Sequence, residues 1–197
     1  MATNPLISHN IPHDTLDGMN VLKARAIDGF MSKRELNWIA HMASKYKTIV
    51  EVGCYKGRST RAWTDNTSGK VYAVDPWNGN YYRNDGKVLW SSQDLNRVYN
   101  EFLANVKDCG NLIVFRGSLP DFFDSLPVTP DLIFIDGDHR YENVKNDLLT
   151  AFQSLQVGGI IAGHDYSHSD WPGVKRAVDE FFPNVNLEES IWWTQKS

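Results

Sequence analysis

Five short apolar runs in this chain each end in residues able to do chemistry. The first, residues 48–52, carries Glu51 and runs into Gly53-Cys54-Tyr55-Lys56-Gly57-Arg58-Ser59-Thr60. The two glycines make a turn where backbone passes close to something, and Ser59 and Thr60 can open a helix. An acid beside such a turn suits a ligand bearing an ammonium or hydroxyls better than a pyrophosphate. The same turn can also be a plain connection that binds nothing. Residues 71–75 end in Asp75, whose two carboxylate oxygens match the vicinal hydroxyls of a ribose. A solvated strand-end acid is the bland alternative, and the first turn tips the balance toward the ribose. Residues 111–115 lead to Arg116-Gly117-Ser118, residues 131–136 end in Asp136 with His139 three positions on, and residues 160–165 end in His164-Asp165. An imidazole titrates near neutral pH, so either histidine can exchange a proton there. Each can equally be a hydrogen-bonded structural group.

The elements that must position these residues follow from pattern. The runs at 48–52, 71–75, 111–115, 131–136 and 160–165 are short and apolar on both faces, as buried parallel strands are. Between them lie amphipathic stretches. Residues 32–46 form a helix with Ser32 as its cap, Glu35 completing a capping box, and Leu36, Ile39, Ala40 and Ala43 as its apolar stripe. A short helix runs through 61–64, and further helices cover 92–106 and 121–126. Another carries Val144, Leu148, Ala151, Phe152 and Leu155 and stops at Gly158-Gly159. A last stripe is Val174, Ala177, Val178 and Phe181, closed by Pro183, and residues 191–194 make a final edge strand. Alternation of this kind means a mostly parallel, doubly wound α/β sheet, Rossmann-like, with an antiparallel C-terminal edge strand. Parallel register carries Glu51, Asp75, Ser118, Asp136, His139, His164 and Asp165 to one rim, where ligands of such sheets bind. Residues 1–31 read as an irregular arm, either a tail or a lid, ahead of one domain at 32–197. The stretch 76–92, with Trp77, Tyr81, Tyr82 and Trp90, either covers a flat ligand or folds into a small satellite core.

Composition narrows the classes. A chain of 197 residues with net charge −4 has no overall basic field to draw it to nucleic acid or an anionic membrane. No run approaches the ~20 apolar residues of a spanning helix, and no signal peptide precedes the fold, so a cytoplasmic protein is expected. Two cysteines, Cys54 and Cys109, are too few for a disulfide framework and lack metal spacing. Cys54 reads as a packed residue of the turn. The G-x-G-x-x-G fingerprint and the phosphate loop are both missing.

The ordered set Glu-Val-Gly-Cys-Tyr-Lys-Gly-Arg-Ser, Ala-Val-Asp-Pro-Trp, Asp-Leu-Ile-Phe-Ile-Asp-Gly-Asp-His-Arg-Tyr and Gly-Gly-Ile-Ile-Ala-Gly-His-Asp-Tyr resembles the successive motifs of the class I S-adenosylmethionine-dependent methyltransferases. The nearest subgroup is the small O-methyltransferases related to macrolide and cephamycin biosynthesis. The resemblance covers about Thr48 to the closing Ile191-Trp192-Trp193 and leaves out 1–31 and 76–92. It implies a cofactor site made by Glu51, Gly53, Tyr55, Gly57, Ser59, Asp75, Trp77, Gly117, Ser118 and Asp136. In that site Gly53 and its neighbours hold the methionine end, Asp75 the ribose, and Trp77, Gly117 and Ser118 the adenine. His139 falls where the macrolide sugar enzymes carry a general base, and His164 is its rival. Asp136, His164 and Asp165 fall where related enzymes bind Mg²⁺ through carboxylates. His164 departs from that pattern, because imidazole suits Mn or Zn better than Mg.

The expected activity is therefore S-adenosylmethionine-dependent methylation, on the hydroxyl of a sugar or small natural product. A Mg²⁺ or Mn²⁺ ion and a homo-oligomeric state are left open. The alternatives are a non-catalytic Rossmann-like cofactor- or partner-binding protein and a nicotinamide-dependent oxidoreductase, the latter lacking its glycine fingerprint.

Overall fold

The computed structural model describes residues 19–78, 81–82, 88–90 and 92–197. In chain order the elements begin with helices α1 (Leu22–Ala26) and α2 (Lys33–Lys45), strand β1 (Thr48–Val52), α3 (Arg58–Asn66) and β2 (Lys70–Val74). There follow the short strands β3 (Tyr81–Tyr82) and β4 (Val88–Trp90), α4 (Ser92–Val106), β5 (Leu112–Phe115) and α5 (Leu119–Ser125). The chain closes with β6 (Leu132–Ile135), α6 (Tyr141–Ser154), β7 (Ile160–Gly163), α7 (Pro172–Phe181), β8 (Asn186–Glu188) and β9 (Ile191–Gln195).

The main sheet runs β5-β2-β1-β6-β7-β9-β8. Its first five strands are parallel, and β9 and β8 are antiparallel. The doubly wound α/β expectation holds. The antiparallel C-terminal end is a hairpin: β9 pairs with β7, and β8 rather than β9 takes the outermost place. The run 186–188 is too short and polar to announce a strand by alternation. Strand order reverses between β1 and β6, so the crevice beyond their carboxyl ends is the topological switch point.

Period-two alternation divides the core between two faces. Ile49, Val71, Leu132, Phe134, Ile160, Ala162 and Trp193 point to α1, α2 and α3, whose Trp38 and Trp63 pack edge-on at 6.4 Å. Val50, Val52, Ile133, Ile135, Ile161 and Trp192 point the other way, to α5, α6 and α7. A smaller cluster of Ala73, Trp77, Val98, Phe102 and Val106 sits under α4. The satellite-core alternative for the aromatic stretch is therefore what Trp77 does. Residues 79–80, 83–87 and 91, and the side chains of Tyr81, Tyr82 and Trp90, lie outside the described residues, as do 1–18 of the expected arm.

Three local expectations are corrected. Residues 19–31 are not simply irregular: α1 forms there, and Val21, Ala24, Ile27 and Met31 are buried. A five-residue helix is too short to show periodicity, and it owes its order to packing on α3. The helix after the glycine turn begins at Arg58, one residue before Ser59, because Gly57 takes a left-handed φ of 89° and ends the turn there. The helix expected at 121–126 begins at Leu119, with Ser118 as its cap and Asp121 closing the box. No helix among the described residues is long and apolar enough to cross a membrane.

Trp63 joins the helical layer to the sheet, fully buried and 5.5 Å from the Phe134 ring. Trp63→Ala should cost about 3–5 kcal/mol of stability, read as a lowered denaturant midpoint. An unchanged midpoint would show that the aromatic layer does not anchor the fold.

Candidate active site

The geometry of the rim starts at Gly53. Its φ is 82°, and a Cβ there would lie 2.0 Å from the carbonyl oxygen of Asp136. β1 and β6 close to this distance because Asp136 N–H donates to Val52 O at 2.7 Å, and Gly53 N–H donates to Val74 O at 2.9 Å. Three strand ends are thus locked side by side. Asp75, at the end of β2, is buried and accepts N–H donors from Cys54 (2.9 Å), Tyr55 (3.2 Å) and Trp77 (2.8 Å). Its carboxylate therefore organises the glycine turn from within and keeps acceptor capacity for one more donor. Burial raises its pKa against those three N–H groups. Tyr55 and Trp77 both hold positive φ, 48° and 41°, a strain that such fixed turns impose.

A cavity of about 750 Å³ opens over this rim, a size typical of ligand sites. Gly53, Tyr55, Ser59, Asp75, Trp77, Asp136, His139, His164 and Asp165 all line it. Of the expected set, Glu51, Gly57, Gly117 and Ser118 stand behind or beside the wall. Ser118 Oγ is engaged with Asp121 at 2.5 Å. Trp77 borders the cavity, while its ring packs at 4.8 and 4.7 Å on Tyr99 and Phe102 and its Nε1 donates to Tyr55 O.

The N-terminal segment reaches the same cavity. Arg58 donates to the carbonyls of Met31 (2.9 Å) and Ile27 (2.6 Å), and Lys56 pairs with Asp28 at 2.8 Å. These contacts hold Gly29, Phe30 and Met31 against the opening. Phe30 is 80% exposed and meets the Tyr55 ring at 5.7 Å.

At the far wall the titratable groups gather. His139 Nε2 lies 2.8 Å from Asp165 Oδ2 and 3.9 Å from Asp136 Oδ1, and Trp171 stacks on its ring at 4.5 Å. That nitrogen is buried and lacks an aligned hydrogen-bond partner. His164 is held on two sides: its Nε2 meets Glu35 Oε1 at 2.9 Å, and its Nδ1 lies 3.4 Å from Asp165 and 3.8 Å from Asp136. Burial disfavours its charged form, but Asp136, Asp165 and Glu35 outweigh that and hold its pKa at about 11. His164 is thus a fixed imidazolium at neutral pH and a poor base. His139 is shifted the same way, burial being outweighed by Asp165 and Asp136. Asp136 is pushed up to about 7, chiefly by burial, and Asp165 is held well below the carboxylate range by the two histidines against its burial. Asp165 adopts this position with φ at 60°.

Asp136, His139 and Asp165 bring one ligand atom each to within 4.8 Å of one another, and the orphaned His139 nitrogen completes a donor set able to hold a divalent cation. This differs from the expected set, in which His164 took the place of His139. One imidazole and two carboxylates suit Mn²⁺ better than Mg²⁺. The His164 imidazolium already faces both carboxylates with positive charge.

Two residues of this wall carried no chemical signal in the sequence. Glu35 was legible only as a capping-box acid, and Trp171 sits in a polar, aperiodic stretch. Cys54 is buried, and burial pushes its thiol well above the usual range, so it is a packed residue as expected.

The fold and rim define a methyltransferase-type α/β domain, and residues 50–166 match the family model described as a methyltransferase domain. The chain belongs to that family. A relative, an uncharacterized protein of Acanthamoeba polyphaga mimivirus, is 28% identical over 144 residues, 70% of this chain, which spans 60% of that protein's length. Among solved structures, an O-methyltransferase from Bacillus cereus in complex with S-adenosylhomocysteine superposes with a TM-score of 0.61 at 17% identity, covering 95% of this chain and 94% of that one. CalS11, a TDP-rhamnose 3'-O-methyltransferase of calicheamicin biosynthesis, gives 0.59 at 13% identity over 81% and 76%.

Glu51 lies under the turn, wholly buried. Burial raises its pKa to about 7 against the hydroxyls of Ser59 and Thr60, with Asp136 adding to the rise, and its Oε1 has no partner. A carboxyl whose folded pKa exceeds its ordinary value of 4.5 destabilises the fold as pH rises from about 4.5 to 7, because the native state holds the proton longer than the unfolded chain. Glu51→Gln should therefore raise the melting temperature, relative to wild type, more at pH 8 than at pH 5. An increment independent of pH would contradict this.

Proposed function

We propose that the protein is an S-adenosylmethionine-dependent methyltransferase acting on oxygen, with a small hydroxylated acceptor such as a sugar or a natural product. The observation that carries this reading is a single cavity holding both the Gly53–Asp75 turn and the His139–Asp165 pair. The turn suits a ligand with an amino-acid end and a ribose, and the pair suits removal of a hydroxyl proton beside it. The Bacillus cereus and CalS11 likenesses support the cofactor and the acceptor class.

S-adenosylmethionine would supply a methyl group on a sulfonium. Gly53 lets backbone approach the methionine end, Asp75 offers its remaining acceptor site to a ribose hydroxyl, and Tyr55 and Ser59 complete the wall. His139 takes the acceptor's proton at Nδ1 as oxygen attacks the methyl carbon and the carbon–sulfur bond breaks to leave a neutral thioether. Asp165, 2.8 Å from Nε2, stabilises the imidazolium that forms. Trp171 holds the ring flat. Most of the rate would come from alignment of oxygen, methyl and sulfur. Phe30 and Tyr55 form the apolar lip over which the acceptor enters.

The donor set at Asp136, His139 and Asp165 supports a second role for the same side chains. A divalent cation there would lower the pKa of the acceptor hydroxyl, and His139 would then be a ligand and not a base. The test is transfer from tritiated S-adenosylmethionine to a panel including TDP-rhamnose and a catechol, with and without EDTA. Methyl transfer that survives EDTA and falls ~10²–10⁴-fold in His139→Gln, with cofactor affinity unchanged, is the expected result. Activity abolished by EDTA and restored by Mn²⁺ would assign His139 as a ligand. Label incorporated at nitrogen or carbon, or into no acceptor, would overturn the O-methylation reading.

A further inference from the structure

Glu35 lies in the first turn of α2, outside the residues 50–166 that define the family match. Its capping role uses one oxygen: Oε2 accepts from Ser32 N–H at 2.8 Å. Capping does not call for burial. In the same chain the Ser118–Asp121 box performs that task in an exposed position. Glu35 is nevertheless 4% exposed, and a carboxylate is costly to bury unless its charge is matched.

The match is His164. Glu35 Oε1 meets His164 Nε2 at 2.9 Å and also accepts Ser190 N–H, from the turn between β8 and β9, at 3.2 Å. With Nε2 tied from behind, the ring can only turn its Nδ1 edge forward, toward Asp165 at 3.4 Å and Asp136 at 3.8 Å. Asp165 uses its other oxygen to meet His139 at 2.8 Å. The result is a line of alternating carboxylates and imidazoles from the start of α2 to the catalytic wall, in the order Glu35, His164, Asp165, His139. Asp165 sits at a left-handed φ of 60°, a conformation that persists only where neighbours on both sides hold it.

We propose that Glu35 is a positioning residue for methyl transfer: it fixes the His164 ring, which fixes Asp165, which in turn orients His139 toward the acceptor. This rests on the methyltransferase reading of the site. It gives the N-terminal helix a part in the chemistry that its capping motif does not suggest.

Glu35→Gln is the deciding variant, because glutamine also completes a capping box and so preserves the helix start. Ser32→Ala is its control, since it removes the cap and leaves the Glu35–His164 pair. Methyl transfer to the best acceptor of the panel, S-adenosylmethionine affinity by calorimetry, and the downfield imidazole N–H resonance of His164 (assigned by its loss in His164→Gln) are measured for each. In Glu35→Gln the expected result is a roughly 10- to 100-fold fall in kcat with KM and Kd for S-adenosylmethionine within twofold. The resonance should be lost or moved upfield. Ser32→Ala should keep wild-type kcat and the resonance while melting a few degrees lower. Wild-type kcat in Glu35→Gln, or an equal loss of kcat in Ser32→Ala, would overturn the positioning role and leave Glu35 as a cap. Failure of wild type itself to transfer methyl groups would overturn the reading of the site, and with it this role. That outcome differs from active wild type with an equally active Glu35→Gln.

Discussion

Between the ends of β1 and β6 there is room for a hydrogen atom and nothing larger. Gly53 meets the carbonyl of Asp136 so closely that any side chain would have to displace backbone, and the rest of the site depends on that approach. The left-handed turn after β1 can then fold over the end of β2, where the Asp75 carboxylate collects the N–H groups of Cys54, Tyr55 and Trp77. It also delivers Asp136 to the same crevice as the glycine turn. Reading the rim from Asp75 to Asp165 is therefore reading one cavity, walled at one end by backbone and at the other by charge.

The charged end is balanced internally. Three carboxylates (Glu35, Asp136 and Asp165) face two imidazoles, and each group is stabilised by its neighbours more than by water. Burial alone would drive every one of them neutral. Their mutual placement instead leaves His164 charged and Asp165 ionised, while Asp136, the group with the least direct hydrogen bonding, is the one pushed up toward neutrality. Such a network is stable only as a whole, because removing one member strands another charge in a dry site. That explains why the wall draws on the first turn of α2 and the β8–β9 turn as well as on the strand ends.

Strand positions and the identity of the rim acids were legible in the sequence, because a parallel sheet buries both faces of its strands and forces polar residues to their ends. Asp75, Asp136 and His164-Asp165 each follow an apolar run for that reason, whereas Glu51 lies inside its strand and is wholly buried. What the chain order could not show was direction. His164 looked like a candidate base or metal ligand by its place at the strand end, but its Nε2 is tied to Glu35 on α2. Trp77 looked free to cover adenine, yet Phe102 and Tyr99 on α4 claim its ring. Ser118 was read as a ligand contact, and the structure adds that it caps α5, a role its spacing to Asp121 could have revealed. Gly57 was assigned to the ligand, and it also serves the entry of α3, where a Cβ would press on Phe102 and Val106 at 3.1 Å. Local pattern locates polar residues on a rim; tertiary packing decides which way they face.

The central claim is that the cavity over Gly53 and Asp75 is built for S-adenosylmethionine. Isothermal titration calorimetry of the wild-type chain with S-adenosylmethionine, S-adenosylhomocysteine, NAD and NADP, under identical conditions, tests it most directly. The account predicts micromolar binding of the first two at one site per chain and no heat from the nicotinamide dinucleotides. Binding of NAD or NADP, or no binding of S-adenosylmethionine and its product, would contradict it.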